Sequence, residues 1–323
     1  MANNSSSSAR YTMVAAKNCW EEQGFYLDDS QGNYSLEPII YKRLHELSWF
    51  RLARQPAMAN LNWVLEFYTN NAVGEHNATV RGRRVAANAA IINSILGLPN
   101  DEPSLYAMLG ALEEEDYKQI KDFLCEEGTA WNTTGRNLHS VSRPSLWPEA
   151  RLWNTFVKKN LMPTSHNQTV DRNRLVLIHT IMIGYRINVG GILAHELVAA
   201  CKNDKGILAF PYLISAHCRR AALPTSPGDK YMTEKQGWTR AVYMRKMDVT
   251  NTTPISVAIP TAPTSPIHTP AANPDEAGPS AATEAQPTSA ASPSVVPVSS
   301  HTSTTSPTTT PAAMPASRQS TPE

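Results

Sequence analysis

Apolar positions recur at helical spacing along most of the chain and then cease. Tyr41, Leu44, Leu47 and Phe50, with Leu52 beyond them, fall largely on one face and predict a helix within residues 10–55. Pro56 has the fixed φ of a first helical turn, which predicts a second helix carrying Met58, Leu61, Val64, Leu65 and Tyr68 on one stripe. Thr69, Asn70 and Asn71 mark its end. Between Ala78 and Ala87, two short β-compatible pieces flank Arg81-Gly82, where glycine supplies the positive φ of a tight turn, so a small hairpin is expected. Asn88 is then placed to cap a helix with Ile91, Ile92, Ile95 and Leu96 facing inward, and Gly97 followed by Pro99 stops it.

The acidic run Glu113 to Asp116 opens a further helix with Tyr117, Ile120, Phe123 and Leu124, because negative charge at a helix start complements the dipole. Four more helices, Pro148 to Asn160, Asp171 to Tyr185, Val189 to Cys201 and Pro211 to Ala221, are amphipathic or largely apolar and should supply the centre of the core. Past residue 245 the pattern is gone. All seven Trp and every Phe and Tyr lie before Met244, and the chain beyond Thr253 is dominated by Pro, Ser, Thr and Ala with few charges, which cannot bury enough to offset its ordering entropy. The expected fold is mainly α: an irregular multi-helix domain with one small β-hairpin, followed by a disordered tail. The boundaries are a partly ordered lead-in over 1–35, a helical domain over 36–245 and the tail over 246–323. Ser265-Pro266, Ser306-Pro307 and Thr321-Pro322 in the tail have the form of proline-directed phosphorylation sites.

Charge narrows the partner classes. The formal net charge is +1 and basic residues are interspersed with acids, which lacks the footprint of a dedicated nucleic-acid binder. Cys19, Cys125, Cys201 and Cys218 form neither a CxxC pair nor a cluster with histidines, so they read as buried, reduced thiols. Residues 1–10 are polar and give no signal peptide. The apolar run Leu175 to Ile183 is broken by His179 and falls short of the roughly 18 residues a bilayer requires. No membrane partner is expected, and residence is intracellular, in nucleus or cytoplasm. The sequons at Asn77, Asn132 and Asn167 then have no route to a glycan.

Candidate chemistry thins out on inspection. His195-Glu196 begins like a zinc-protease helix, but residue 199 is Ala where the second His belongs. His179 on its apolar helix reads as a core or boundary histidine. Gly190-Gly191 lacks the flanking residues of a phosphate loop and reads as close helix packing or a helix start. No Gly-x-Ser-x-Gly elbow occurs. Acids sit at helix starts and faces, unlike the single carboxylates within apolar strands that hold metal pairs in mobile-element nucleases. No catalytic, cofactor-binding or metal residue is assigned, and no cofactor is expected. Arg81, Arg83 and Arg84 on the hairpin and Lys158 and Lys159 on a helix are the candidate nucleic-acid contacts, if folding brings them together. An ordinary soluble surface accounts for each of them as well. Arg219-Arg220 serve equally as C-terminal helix charges.

Six strings in order, Val80-Arg-Gly-Arg-Arg-Val85, Ile91-Ile-Asn-Ser-Ile-Leu-Gly-Leu-Pro99, Trp153-Asn-Thr-Phe-Val157, Leu161-Met-Pro-Thr-Ser-His166, Ile187-Asn-Val-Gly190 and Phe210-Pro-Tyr-Leu-Ile214, resemble the putative plant transposon protein domain over roughly residues 45–225. The stretch Asn88 to Pro99 also resembles the plant mobile domain of transposase-derived proteins, as an analogy of helix punctuation. The first resemblance implies a retroelement or transposon origin and brings no functional residues with it. The expected function is a non-enzymatic, mobile-element-derived association module for protein or nucleic-acid partners, including self-association, in the manner of a gag remnant. No zinc knuckle accompanies it. The alternative is a degenerate transposase-related enzyme with a carboxylate metal site.

Overall fold

The computed structural model describes residues 2–27, 37–71, 75–100, 102–133, 139–203, 206–233, 237–239, 242 and 245. They belong to one unit, Met1–Ala262; a second, Pro263–Glu323, and the whole of the expected tail lie outside the described residues. The helices are α1 (Ala2–Ala15), α2 (Pro38–Glu46), α3 (Phe50–Ala53), α4 (Leu61–Asn70), α5 (Ala89–Leu96), α6 (Leu105–Ala111), α7 (Glu114–Leu124), α8 (Pro148–Asn160), α9 (Arg172–Ile183), α10 (Val189–Lys202) and α11 (Pro211–Arg220). The strands are β1 (Ala59–Asn60), β2 (Asn77–Val80), β3 (Arg83–Ala86), β4 (Ser140–Ser142), β5 (Thr169–Asp171) and β6 (Tyr231–Met232). The mainly helical expectation holds.

The hairpin forms where expected. β2 and β3 pair antiparallel, Asn77 with Ala86 and Val80 with Arg83, about a two-residue turn in which both Arg81 (φ 49°) and Gly82 (φ 72°) take positive φ. That conformation matches the right-handed strand twist, and Arg81 adopts it without being glycine. Two further antiparallel ladders, β1 with β6 and β4 with β5, went unforeseen because strands of two or three residues carry no alternation to read.

Two helix starts differ from expectation. The helix within 10–55 is two helices, α2 and α3, broken at Ser48 in left-handed conformation (φ 59°), and Trp49 N–H bonds back to the Leu44 carbonyl. The break lets Leu44, Leu47, Trp49 and Leu52 all turn inward. Helix α4 begins at Leu61 and not near Pro56, because Ala59 and Asn60 pair with β6 and the Asn60 side chain caps the helix by accepting from Trp63 N–H at 3.1 Å. Met58, expected on the buried stripe, is therefore 48% exposed.

The core centres on α8 and α9. Leu152, Trp153, Phe156 and Val157 of α8 are buried, and α9 presents Leu175 to Ile178 as an unbroken buried run. Residues from outside the helical stretch complete it. Phe25, in the segment Ala16 to Leu27 that follows α1, is fully buried, stacks on Phe156 at 5.7 Å and meets Trp238 edge-on at 5.5 Å. Its backbone bridges both Arg54 and Trp238. We call Ala16–Leu27 the strap; Gln23 fastens it further by exchanging hydrogen bonds with the Asn160 side chain.

Helices α5 and α10 touch backbone to backbone. A Cβ at Gly190 would collide with the Ala89 carbonyl oxygen and the Asn93 side chain, so the glycine is what permits the approach. Asn93, fully buried, accepts from Gly190 N–H at 2.7 Å and donates to Asn100 Oδ1 and Asn188 Oδ1 at 3.1 and 3.0 Å. Asn188 in turn caps α10 through Gly191 N–H. Both readings of Gly190-Gly191, close packing and helix start, apply. The four cysteines are free thiols; burial pushes Cys19 and Cys125 up to about 11 and Cys201 and Cys218 up to about 12, which keeps them protonated and inert.

Candidate functional site

The hairpin turn carries Arg81 over the segment that follows α11. Its Nη2 bonds Asp229 Oδ1 at 2.5 Å, its Nη1 donates to Ser226 Oγ at 2.7 Å, and its Nε lies 3.5 Å from Glu66 Oε2. Glu66 also accepts the Arg81 backbone N–H at 2.7 Å, which holds the turn itself. Asp229, its side chain only 1% exposed, accepts from Asn60 Nδ2 and from Ser226 N–H as well. Burial pushes this carboxyl up, but the bonds from Ser226, Asn60 and Arg81 outweigh it and hold it below the usual range. Arg81 is thus a buttress between β2–β3 and the chain after α11.

Arg83 is exposed on β3 yet also tied to the fold. Its Nη1 donates to the carbonyls of Ala221 and Ala222 at 3.1 and 3.2 Å, satisfying acceptors at the C-terminal end of α11. Arg84 is exposed on β3, and its Nη2 lies 3.1 Å from the Asn77 amide when that amide is oriented to satisfy both of its neighbours. Arg219 and Arg220 donate to the Met58 carbonyl and Ser94 Oγ, each at 2.9 Å.

Lys158 and Lys159 sit in the last turn of α8, where cations suit the dipole. Both ammonium groups approach the half-buried Trp20 ring, at 5.6 and 4.7 Å from its centroid, and Trp20 Nε1 donates to the Lys159 carbonyl. Folding therefore gathers the two lysines around an aromatic ring of the strap. The hairpin arginines have a different seat, on α4 and on the chain after α11.

Of three further polar arrangements, two involve His195-Glu196 and His179, which the sequence had singled out, and the third, at Glu22, had no motif to announce it. His195-Glu196 clamps α6 to α10: Tyr106 Oη donates to Glu196 Oε1 at 3.1 Å, and the Tyr106 and His195 rings lie 4.0 Å apart. Burial raises the Glu196 carboxyl against the bonds from Tyr106 and His195, and burial with Glu196 raises the Tyr106 hydroxyl. His179 packs edge-on to Phe123 at 5.0 Å, and burial pushes it down to about 4, as a boundary histidine. Glu22 of the strap caps α11 from 190 residues away, accepting the N–H of Tyr212 at 2.8 Å and of Leu213 at 3.2 Å. Phe210, at the N-cap position with φ 52°, offers no side-chain cap of its own. Burial pushes the Glu22 carboxyl up to about 8 although the two backbone bonds favour its charge.

Among the described residues no three His, Cys, Asp or Glu side chains gather to hold a metal ion, and no helix is long and apolar enough to cross a membrane. Residues 45–224, from α2 to just past α11, match the family described as "Putative plant retrotransposon-related domain". The chain belongs to that family. The match coincides with the stretch over which the six strings were read, and it makes the protein mobile-element-derived. No curated protein and no solved structure gives a match. Family membership does not reach the strap or Trp238, which nonetheless close the core of the family's helices.

Proposed function

We propose that this retrotransposon-related domain is a non-enzymatic association module, a gag-like remnant whose partners are proteins, a second copy of the chain among them. The observation that carries the reading is the orientation of the hairpin. Arg81 and Arg83, the guanidinium groups best suited to phosphates, are engaged with Asp229, Glu66 and the end of α11, so the strongest basic candidates act within the fold. The formal charge of +1 adds little long-range attraction for a polyanion. Light scattering of the purified full chain across a concentration series tests self-association directly. A strictly monomeric protein that also captures no protein partner from plant extract would overturn the reading.

A nucleic-acid contact has one specific support, the pairing of Lys158 and Lys159 with Trp20, since a basic patch around an aromatic ring is what single strands engage. A gel shift on single-stranded RNA and DNA at low and high salt tests it. Salt-sensitive retention lost in a Lys158→Ala/Lys159→Ala variant supports this second reading, and absence of retention at low salt removes it.

A further inference from the structure

His217 lies on α11 beneath strand β3, 4% exposed. One ring nitrogen hydrogen-bonds the Ala86 backbone, and Nε2 has no hydrogen-bond partner among the described residues. The charged groups around it are chiefly cations. Arg219 and Arg220 follow on α11 itself, and Arg83 and Arg84 stand on β3 with Arg81 at the turn. The acid on α4, Glu66, is bound to Arg81, Asp229 is bound to Arg81 and Asn60, and β1 brings Ala59 and Asn60, neither charged. The thiol of Cys218, next along α11, is neutral. A proton taken up at Nε2 would place a cation in the interior, within reach of Arg220 and with no acceptor to receive it, which costs free energy.

We propose that His217 is an acid-operated pin for the β2–β3 hairpin: neutral, it fastens β3 to α11, and protonated, it makes the hairpin lift while the α8–α9 core stays folded. The effect centres on this corner, where α11 meets the hairpin through β3 and both pack on α4, whereas α8 packs on α9. Burial, with Arg220 adding to it against the Ala86 bond, pushes the imidazole down to about 4. Asp229 is held below the usual carboxylate range, so mild acid titrates the pin before the Arg81 clasp.

Hydrogen exchange of the full chain, read residue by residue as protection factors at pH 7 and pH 4.5, tests the proposal. Amides of Thr79, Arg84 and Val85 should lose protection on the order of 50-fold at the lower pH, while Phe156 and Val157 of α8 lose less, because there the acid gain of the Glu22 carboxyl offsets part of the loss from His179 and His217. In His217→Asn, which keeps a side-chain donor for Ala86 but cannot take up the proton, the hairpin loss should vanish. A uniform loss across hairpin and α8, or an undiminished hairpin loss in the variant, would overturn it. Should that variant not fold, NMR titration of the His217 ring in the unaltered protein decides: a midpoint near 4 supports the pin, and one near the ordinary 6.5 refutes it.

Discussion

Replacing Glu22 by glutamine should remove the alkaline limb of the protein's stability profile. The folded carboxyl is raised from 4.5 to about 8, so the stability it contributes is complete below its ordinary value and is lost as pH rises through 8. The full displacement corresponds to roughly 5 kcal/mol, of which about 2 kcal/mol falls between pH 6.5 and pH 8.5. His179 and His217 work in the opposite sense: both are depressed to about 4, so their contribution is complete above 6.5 and is lost as pH falls through 4. Between pH 4.5 and 6.5 two histidines outweigh one carboxyl and stability rises. Above 6.5 Glu22 acts alone, and stability falls. Urea unfolding at half-unit steps from pH 5 to 8.5, over which the thiols, ordinarily ionising near 9.0, add only a small loss at the top step, should give a maximum near pH 6.5 for the unaltered chain. Glu22→Gln should lie lower at pH 6.5, because its amide faces a backbone N–H, yet stay level up to pH 8.5. An unaltered chain with no decline above pH 6.5, or a variant with the same decline, refutes the reasoning.

Gly190→Ala should cost roughly 1–3 kcal/mol, read from the urea midpoint, because the added methyl meets a backbone carbonyl and the buried Asn93; a change under about 0.5 kcal/mol would show that α5 and α10 part easily. Phe25→Ala should cost about 3–5 kcal/mol by emptying the space between Phe156 and Trp238. A fragment trimmed to the family stretch 45–224 lacks Phe25, Glu22 and Trp238 and should show no cooperative thermal transition by circular dichroism; a melt matching that of the full chain would contradict this. Asp229→Ala should cost about 2 kcal/mol, below the 3–5 kcal/mol of a wholly buried pair because Arg81 keeps Glu66 and some water, with the same urea assay as the check.

What the sequence disclosed was local. Asn88 and Gly97 bound α5 as read, since cap and stop lie within one helix length, and Pro148 and Pro211 begin α8 and α11 where expected. Where a distant segment decides, the reading failed. Pro56 offered a sound helix start, but pairing of Ala59 and Asn60 with residues 231–232 moved it to Leu61. No local signal separates α2 from α3, because Ser48 is driven to positive φ by the burial of Leu47 and Trp49 on either side. The candidate contacts divide in the same way. Charge on Arg81 and Arg83 was plain, but apart from Glu66 their partners, Asp229 and the end of α11, lie more than a hundred positions away. Glu22 could not have been found, for nothing near it in sequence marks it as the cap of α11.

The meeting of Phe25 and Trp238 constrains the order of events when the chain is made. A ribosome releases the first of these rings long before the second, and until both are out the α8 side of the interior stays open to water with Phe156 and Trp153 uncovered. Helices can form as they emerge, yet final closure must wait for nearly the whole described stretch, which makes this a late-locking fold whose closing contacts join sequence-distant segments. Interruption of synthesis anywhere before residue 238 therefore leaves a sticky intermediate in place of a smaller stable domain.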